Sequence, residues 1–484
     1  MAVGELLSGH ASYERNLKQV KNPYLPSWEY VPDGEPYVFG GRVYVYGSHD
    51  KFGGSVYCMG DYVCWSAEVN DLGSWRYEGV IYRKDQDPFN ADLQGNLYAP
   101  DVAVGKDGRY YLYYVLSNRR NVAVTVCDTP AGQYRYLGYV RYPDGTMLGE
   151  KEGDEAQFDP GVLVEGDDVY LYTGFCARGD KSRHGAMVTV LESDMLTVKQ
   201  SPVFVAPGCE YSAGTGFEGH EFFEAPSIRK LFGKYCFIYS SIKCHELCYA
   251  LSDSPTSGFK YMGVIVSGCD MGITKGGKPA EKPLYYTANN HGSVVEIGES
   301  LYVFYHRHTN GTNYSRQGCL EKLSVEGDRI LQAEITSCGS VAPLRGEGEY
   351  PAYIACNLFT PVECVYVPWS GWMDDRFPKI TQECTGENPQ SFIANMTDGA
   401  TAGFKYFDLR GVKAVSVRVM GYANGRVLVR TAPEGEACAE INVHYANVWY
   451  DAQAEAHLPD GVHALYFTFE GTGTLSFASF RLIL

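Results

Sequence analysis

Four acidic residues and one histidine lead five copies of one short sequence pattern. Asp33, Asp101, Asp159, Glu224 and His291 each precede an apolar run, a turn and a second run that is rich in aromatic and β-branched residues. Paired runs of this kind predict β-hairpins. If the hairpins surround one axis, four carboxyl groups and an imidazole meet at one place. Carboxyl groups disfavour the ionisation of their neighbours, so such crowding is typical of a catalytic site.

Two carboxyl groups with opposite protonation states can hydrolyse a glycosidic bond. One group protonates the leaving oxygen, and the other acts as a base or nucleophile on the opposite face of the sugar. A base that acts through a water stands about 6.5–9.5 Å from the acid, and acids on different hairpins can reach this separation across a channel. Glu224 follows two phenylalanines, and we expect those rings and a nearby Asp159 carboxylate to raise its pKa. Turn N–H groups beside Asp33 are expected to keep its pKa low.

The five copies are regularly spaced. Their turn glycines recur every 58 to 67 residues and are Gly41, Gly108, Gly166, Gly233 and Gly298. A repeat of that length accommodates about four short strands with their loops. Five such units predict a five-bladed β-propeller in which the first strand of each blade lines a central channel. A β-sandwich with similar hairpins is the alternative, and the regular spacing argues against it.

The sequence pattern changes after about residue 340. Residues 341–351 are rich in glycine, proline and charge and predict a linker. Alternating apolar and polar residues at 414–419, 426–430 and 464–469 then predict a second all-β domain, a sandwich or jelly roll. The predicted fold class is therefore all-β, with a propeller at 1–340 and a β-sandwich at 350–484.

Composition excludes several classes of partner. The net charge of −17 argues against nucleic acid or an anionic membrane. The sequence has no apolar run of about 18 residues, which a membrane helix needs, and its start lacks the pattern of a signal peptide. The 15 cysteines lie mostly inside apolar strands and indicate reduced thiols. We therefore expect a cytoplasmic protein, although a chain whose leader had been removed would look the same. The oligomeric state is not predicted.

Two histidine-containing segments have residue types that bind metals. Cys244-His245-Glu246-Leu247-Cys248 offers zinc ligands, but the sequence has no second pair at a suitable distance, so we interpret the segment as a blade strand. His306-Arg307-His308 is interpreted as a strand end near the channel. Arg316 is a candidate for contact with a substrate hydroxyl, and the alternative is an arginine in a salt bridge at the start of a strand.

Five spaced motifs resemble those of glycoside hydrolase family 43. They are Asn22-Pro23-Tyr24-Leu25-Pro26 leading to Pro32-Asp33-Gly34, then Tyr98-Ala99-Pro100-Asp101, Phe158-Asp159-Pro160, Phe223-Glu224-Ala225-Pro226 and His291-Gly292-Ser293. The resemblance covers about residues 20–335. It implies a five-bladed propeller that hydrolyses glycosides with inversion. The family's substrates are mostly α-L-arabinofuranosides and β-D-xylosides of plant cell walls.

The resemblance implies a role for each motif residue. Asp33 matches the general base, Glu224 the general acid, and Asp159 the carboxylate that orients the acid and tunes its pKa. Asp101 matches an acid beside the site, and we expect Asp101, Tyr98 and Arg316 to contact substrate. Many relatives have tryptophan where this chain has Tyr98, which leaves the shape of the sugar subsite, and so the substrate, open.

His291 matches an axial histidine that binds a calcium ion or a water in many members of the family. Calcium prefers oxygen ligands, so a lone histidine does not by itself indicate a calcium site. The alternative is a structural histidine bonded to a backbone group. No organic cofactor is expected.

The C-terminal part resembles a family 6-type carbohydrate-binding sandwich. The resemblance rests on Leu458-Pro459-Asp460-Gly461-Val462-His463, Gly471-Thr472-Gly473-Thr474-Leu475 and Phe480. Such a domain binds carbohydrate, braces the propeller or closes one edge of the active site, and the sequence does not distinguish these roles.

Three functions remain open at this point. The first is an inverting exo-glycosidase that releases α-L-arabinofuranose, β-D-xylose or both from oligosaccharides of arabinoxylan or arabinan. The second is an endo-acting arabinanase, which requires an open groove instead of a pocket. The third is a non-catalytic carbohydrate-binding propeller, and the presence of all three acids argues against it.

Overall fold

A computed structural model describes residues 21–362, 372–385 and 389–484. Residues 1–18, in which the sequence predicts no signal peptide, lie outside the described residues. Five small antiparallel sheets follow one another between residues 35 and 322, and each takes its strands in sequence order. The five predicted turn glycines have φ between 62° and 80°, a conformation that glycine adopts without strain. The predicted five-bladed β-propeller is therefore confirmed.

The first four blades have four strands each and the fifth has three. In chain order the strands are Glu35–Phe39, Arg42–Tyr46, Tyr62–Glu68 and Asp71–Tyr82; Asp101–Val104, Tyr110–Val115, Val122–Cys127 and Arg135–Tyr139; Gly161–Glu165, Asp168–Thr173, Gly185–Leu191 and Val198–Pro207; Phe222–Leu231, Lys234–Ser241, Glu246–Ser252 and Lys260–Ser267; Ser293–Ile297, Ser300–His308 and Arg316–Lys322. A short hairpin, Val325–Glu326 with Arg329–Ile330, follows the fifth blade.

Helix is scarce in the described ranges. The helical segments there are one-turn 3-10 helices at Lys84–Gln86, Pro88–Asn90, Cys209–Tyr211, Lys275–Gly277 and Ala352–Ile354. In this part of the chain no helix has the length and apolar character needed to cross a membrane.

The N-terminal segment closes the ring of blades. It runs beside the outer strand of the fifth blade, where Tyr24 N donates a hydrogen bond to Gly318 O at 3.3 Å. The Asn22 amide donates to Leu320 O at 2.9 Å and accepts from Leu320 N at 3.0 Å. The beginning of the propeller is thereby fastened to its last blade, which holds the first and fifth channel strands side by side.

A charged cluster joins channel strands of different blades. Arg229 pairs with Glu35, and its guanidinium lies over the Tyr37 ring at 4.3 Å from the centroid. Tyr37 Oη donates to Asp101 Oδ1 at 2.7 Å, and Val162 N donates to Asp101 Oδ2 at the same distance. Burial and the Asp101 charge raise the pKa of Glu35 to about 8 despite the opposing effect of Arg229. The cluster thus depends on its cation.

We expect Arg229→Met to destabilise the propeller strongly. The change leaves Glu35 and Asp101 buried without their positive partner, which typically costs about 3–5 kcal/mol. Urea unfolding at pH 8 measures the loss. Lys234→Met is the control on the same blade, because the Lys234–Asp328 pair is exposed and such pairs contribute about 0–1 kcal/mol. Equal losses in the two variants would contradict this account of the cluster.

The C-terminal domain is a network of ten hydrogen-bonded strands. Its strands are Leu344–Arg345, Gly348–Pro351, Asn357–Phe359, Lys379–Gln382, Ser391–Met396, Thr401–Leu409, Ala414–Arg430, Ala439–Val443, Ala446–Glu455 and Gly461–Ile483. The strand Ala414–Arg430 pairs along its whole length with residues 466–483 of the longest strand. Where Gly425 faces Gly471, a Cβ on either would lie within 2.3 Å of a backbone oxygen. The predicted linker contains the first two strands, both paired within this domain.

The second domain is anchored to the propeller by a buried lysine and by backbone hydrogen bonds. Lys405 Nζ lies 2.6 Å from Asp270 Oδ2 and 3.0 Å from Glu334 Oε1. Nearby, Asn310 N donates to Ile380 O and Met373 N donates to Gly311 O, both at 2.6 Å. Both backbone contacts are to the fifth-blade loop that precedes Arg316. The second domain therefore braces a loop that leads into the functional site.

Candidate active site

A cavity of about 200 Å³ lies where channel strands from all five blades converge. Its lining residues are Asp33, Tyr57, Cys58, Tyr98, Ala99, Phe158, Asp159, Phe175, Glu224, Asn289, His291 and Arg316. Six of the seven side chains that the sequence singled out for chemistry or binding are in this set. The exception is Asp101.

Asp101 does not line the cavity. Ala99, two residues earlier, lies at the cavity position that was predicted for Asp101. Residues two apart in a strand point to the same face, so both face the channel at different depths. Each first strand contributes two channel positions, one nearer the cavity and one two residues later. A glycine or proline lies between these two positions in every blade and marks the equivalent residues. The equivalent triplets are Asp33-Gly34-Glu35, Ala99-Pro100-Asp101, Asp159-Pro160-Gly161, Ala225-Pro226-Ser227 and His291-Gly292-Ser293.

Asp33 is buried and held by cationic and imidazole groups. Its φ of 58° is unusual for a residue other than glycine. Arg316 Nη1 donates to Asp33 Oδ1 at 2.9 Å, and His306 Nδ1 lies 3.2 Å from the same oxygen. Burial alone would raise the pKa of Asp33, but the Arg316 charge and the His306 hydrogen bond outweigh it and hold the pKa well below the ordinary value. The low pKa of Asp33 thus comes from Arg316 and His306, and the predicted effect of turn N–H groups is not among its causes.

Arg316 is itself fixed by a second carboxylate. Its Nε donates to Asp50 Oδ2 at 2.8 Å and its Nη2 donates to Asp50 Oδ1 at 3.1 Å, a two-point contact between planar groups. Asp50 also accepts from the backbone N–H groups of Arg316 and Cys58. The salt-bridge interpretation of Arg316 is therefore confirmed, and its contact with a substrate hydroxyl stays a prediction that its place in the cavity lining allows. Asp50 lies in a blade-one loop without a recognisable motif, and the sequence analysis missed it.

A β-bulge turns Glu224 toward the cavity. The pairing of strand Phe222–Leu231 with its neighbour shifts register on both sides of Glu224. Bulges of this kind redirect a side chain and are frequent beside active sites. Ala225 has a φ of 62°, so the backbone strain is concentrated at the residue after the acid.

Glu224 and Asp159 both have pKa values raised above the ordinary range. Burial raises the pKa of Glu224 to about 8, and the Asp33 charge acts in the same direction. Burial also raises the pKa of Asp159, and the Glu224 and Asp33 charges add to it. Asp159 Oδ2 accepts from Ala225 N at 3.3 Å, which ties the two strands together. The sequence pattern predicts that the Asp159 charge raises the pKa of Glu224, whereas in the structure the Asp33 charge has this effect.

His291 stands between two of the acids. Its Nδ1 lies 3.8 Å from Asp33 Oδ1 and 3.7 Å from Asp159 Oδ2. Burial lowers the pKa of His291 to about 4, although the Asp33 charge opposes this. The imidazole is therefore neutral at neutral pH. Arg316, and not His291, supplies the positive charge that balances the ionised acid.

Aromatic rings form the walls of the cavity. Tyr98 packs edge-on against Phe158, with ring centroids 5.8 Å apart, and Phe158 packs on Phe175 at 5.3 Å. On the other side the Arg316 guanidinium lies 4.9 Å from the centroid of the Tyr57 ring. Apolar faces combined with a few oriented polar groups are the usual lining of a small-molecule site. Tyr57, Cys58, Phe175 and Asn289 were missed because they lie in loops without a local signal.

The chain is similar to known glycosidases along its whole length. The model of "Glycosyl hydrolases family 43" matches residues 27–330. A xylosidase/arabinosidase of Thermoclostridium stercorarium is 62% identical over 469 residues, which is 96% of this chain and 99% of that protein. The chain belongs to glycosyl hydrolase family 43. It is a glycoside hydrolase.

Solved structures share the fold of this family 43 enzyme. An arabinoxylan arabinofuranohydrolase from Bacillus subtilis, solved with cellotetraose, is 22% identical and has a TM-score of 0.50 over 96% of this chain and 97% of that one. A β-xylosidase/α-arabinofuranosidase from a compost metagenome, solved with xylotriose in calcium-free form, is 24% identical, with a TM-score of 0.51 over 66% of this chain and 98% of that one. The first similarity covers both domains.

The donors around His291 do not form a calcium site by themselves. Calcium takes six to eight oxygen ligands, whereas His291 offers a nitrogen and has two carboxylate oxygens just under 4 Å away. One of these oxygens already accepts from Arg316, whose charge repels a cation. The prediction that His291 binds a metal stays a prediction, and no step of the chemistry below passes through calcium.

Proposed function

We propose that this family 43 enzyme removes α-L-arabinofuranose and β-D-xylose units from the ends of plant cell-wall oligosaccharides, with inversion at the anomeric carbon. The observation that carries the proposal is that one cavity brings together Asp33, whose pKa Arg316 lowers, and Glu224, whose pKa burial raises. The xylosidase/arabinosidase that is 62% identical to the chain supports the two sugars.

Glu224 and Asp33 divide the chemistry. Glu224, protonated at neutral pH, donates its proton to the glycosidic oxygen as the bond to the anomeric carbon breaks. Asp33, ionised, accepts a proton from a water that attacks that carbon from the opposite face. The bond from water oxygen to carbon replaces the bond to the leaving oxygen, so the configuration inverts. Asp33 then releases its proton to solvent and Glu224 regains one.

Asp159, Arg316 and Asp50 position the two reacting groups. Asp159 holds the backbone after Glu224 through the Ala225 N–H, which fixes the direction of the acid. Arg316 binds Asp33 and keeps it ionised, and Asp50 holds Arg316 from behind. Tyr98 and Phe158 supply apolar faces for one sugar ring.

The small cavity favours exo action on short chains. A cavity of about 200 Å³ is below the size of most ligand sites and suits one terminal sugar. An endo-acting arabinanase requires a groove open at both ends. We further propose that the substrates are oligosaccharides taken into the cytoplasm, a setting that suits buried free thiols such as Cys236 and Cys319.

A panel of substrates tests the proposal. We expect hydrolysis of 4-nitrophenyl α-L-arabinofuranoside and 4-nitrophenyl β-D-xyloside, and release of single sugars from xylobiose and arabinobiose. Linear arabinan is expected to lose sugars only from its ends, without a fall in viscosity. A folded protein that cleaves neither aryl glycoside would refute the substrate assignment, and a rapid fall in the viscosity of arabinan would favour the endo-acting alternative.

The pH dependence of kcat/KM should be a broad bell. Activity needs Glu224 protonated, so it is lost as pH rises through a pKa of about 8. Activity also needs Asp33 to be ionised. Because the pKa of Asp33 is lowered, activity is lost on the acid side only when the pH falls below the ordinary pKa range of aspartate. Initial rates at low substrate concentration, measured from pH 3 to 10, should show the alkaline limb and no complete acid limb within that range. An alkaline limb below pH 6 would contradict the assignment of Glu224.

A further inference from the structure

Three metal-binding side chains meet on blade four, away from the catalytic cavity. His220 Nδ1 lies 2.6 Å from Glu246 Oε1. Cys248 Sγ lies 3.8 Å from that nitrogen and 3.7 Å from that oxygen. Glu246 and Cys248 are two residues apart in one strand, so both point to the same face. His220 comes from the loop before channel strand Phe222–Leu231. It is far from Glu246 and Cys248 in sequence, so only the fold places it beside them.

The other two residues of the sequence motif do not join this group. His245 lines the same cavity as His220 and Glu246, but its Nδ1 lies 3.0 Å from Ser267 Oγ and the ring is not part of the three-residue group. Cys244 sits in the preceding turn with a φ of 68°. The sequence analysis rejected zinc because the motif had no second pair of ligands nearby. The fold supplies the missing ligand from residue 220.

The separations suit a tetrahedral zinc-like ion. Zinc binds nitrogen and oxygen at about 2.0–2.1 Å and thiolate at about 2.3 Å, which places neighbouring ligand atoms roughly 3.3–3.7 Å apart. Both distances to Cys248 Sγ are already close to this range. The His220–Glu246 distance is a hydrogen-bond length and has to lengthen by somewhat less than an ångström when an ion replaces the shared proton.

The charge and the surroundings also suit a divalent cation. The thiolate and the carboxylate together neutralise a dication, which removes most of the cost of burying it. A solvent-accessible cavity of about 490 Å³ is lined by His220, Glu246 and Tyr261, so water can complete the coordination. The Tyr261 ring stacks on His220 at 4.9 Å and fixes its plane. Metal-ligating histidines are commonly held in this way by neighbouring groups.

Two groups occupy the proposed ligand atoms. Ser241 Oγ donates to Glu246 Oε1 at 2.6 Å and can keep this bond beside an ion, whereas the Lys243 ammonium must be displaced. Lys243 Nζ lies 3.3 Å from His220 Nε2 and 3.8 Å from Glu246 Oε1. The side chain is 42% exposed, so the ammonium can move into solvent.

We propose that His220, Glu246 and Cys248 form a site for a zinc-like divalent cation. An ion there would join the loop before Glu224 to the third strand of the same blade. The site is separate from His291 and the catalytic acids, and it does not depend on the proposed substrates.

Cadmium titration of the full chain tests the site, because a cysteine thiolate bound to Cd²⁺ gives an ultraviolet charge-transfer band. We expect one ion per chain, displaced by Zn²⁺. Cys248→Ser should abolish the band, and His220→Gln should weaken binding at least tenfold. Cys244→Ser is the matched control and should bind as the wild type does. Lys243→Gln should bind several-fold more tightly, because the competing charge is gone.

The variants must be shown to fold before their metal binding is compared. Circular dichroism and hydrolysis of the aryl glycosides without added metal establish that each variant is folded. An unchanged band in Cys248→Ser, loss of the band in Cys244→Ser, or weaker binding by Lys243→Gln would each overturn the proposal. If Cys248→Ser does not fold, His220→Gln and Lys243→Gln decide the question.

Discussion

Replacing Glu224 by glutamine should lower kcat/KM for xylobiose and arabino-oligosaccharides about 10³-fold. The amide cannot donate a proton to a sugar leaving group, and general acid catalysis contributes about 10²–10⁴-fold. A dinitrophenyl leaving group needs no such proton, so 2,4-dinitrophenyl β-D-xyloside should lose less than tenfold. The alkaline limb of the pH profile should also disappear, because it reports the ionisation of Glu224.

Glu221→Gln is the matched control for this change. Glu221 is a buried acid three residues earlier and accepts from Ser212 Oγ, but it does not line the cavity. Its kcat/KM should stay within a few-fold of the wild type on both kinds of substrate. Unchanged turnover of xylobiose by Glu224→Gln would show that Glu224 is not the proton donor.

Replacing Asp33 by asparagine should lower kcat by about 10³-fold or more on every substrate. The attacking water loses the group that accepts its proton, and this need does not depend on the leaving group. The 2,4-dinitrophenyl xyloside should therefore not be spared. The contrast with Glu224→Gln separates base from acid, and steady-state kinetics of both variants on the same pair of substrates measures it.

Arg316→Lys tests how the base is kept ionised. The lysine retains a positive charge, but it cannot bind Asp50 through two nitrogens and also reach Asp33. The pKa of Asp33 should move up toward the ordinary value, so the acid limb of kcat/KM should rise by about one pH unit. An acid limb that is identical in wild type and Arg316→Lys would mean that Arg316 does not control Asp33.

Much of the fold could be predicted from repeat spacing. A turn glycine every 58 to 67 residues indicated five blades, because such a turn forces a positive φ and each blade needs one at the same place. The closure of the ring by Asn22 and Tyr24 could not be predicted in the same way. It depends on hydrogen bonds between residues some 300 positions apart, and local sequence patterns carry no information about such pairs.

The candidate site was predicted in part, and the limit was register. Asp33, Asp159, Glu224 and His291 line the cavity as predicted, whereas Asp101 is displaced by two residues. Strand periodicity cannot reveal such a displacement, since residues two apart face the same way. The proline between Ala99 and Asp101 was the signal that would have corrected blade two. The same rule assigns Ala225 to the cavity of blade four, where a bulge brings Glu224 there instead.

The electrostatics of the site depended on residues outside the motifs. Asp50 reaches Arg316 from a loop that has no local signal, and His306 reaches Asp33 from the middle strand of blade five. The segment around His306 was interpreted as a strand end near the channel, but local sequence does not reveal its contact with Asp33. The direction of both pKa shifts and the effect of burial on Glu224 were therefore predicted, but the charged and hydrogen-bonding groups responsible were not. Motifs identify the reacting groups, while their pKa values are set by neighbours that only the fold brings together.

Product stereochemistry tests the central claim most directly. Hydrolysis of 4-nitrophenyl β-D-xyloside is followed by proton NMR, fast enough to observe the first sugar before mutarotation. Asp33 acting on water opposite Glu224 predicts that α-xylose appears first and β-xylose only later. Initial release of β-xylose would mean retention through a covalent intermediate and would contradict the roles assigned to Asp33 and Glu224.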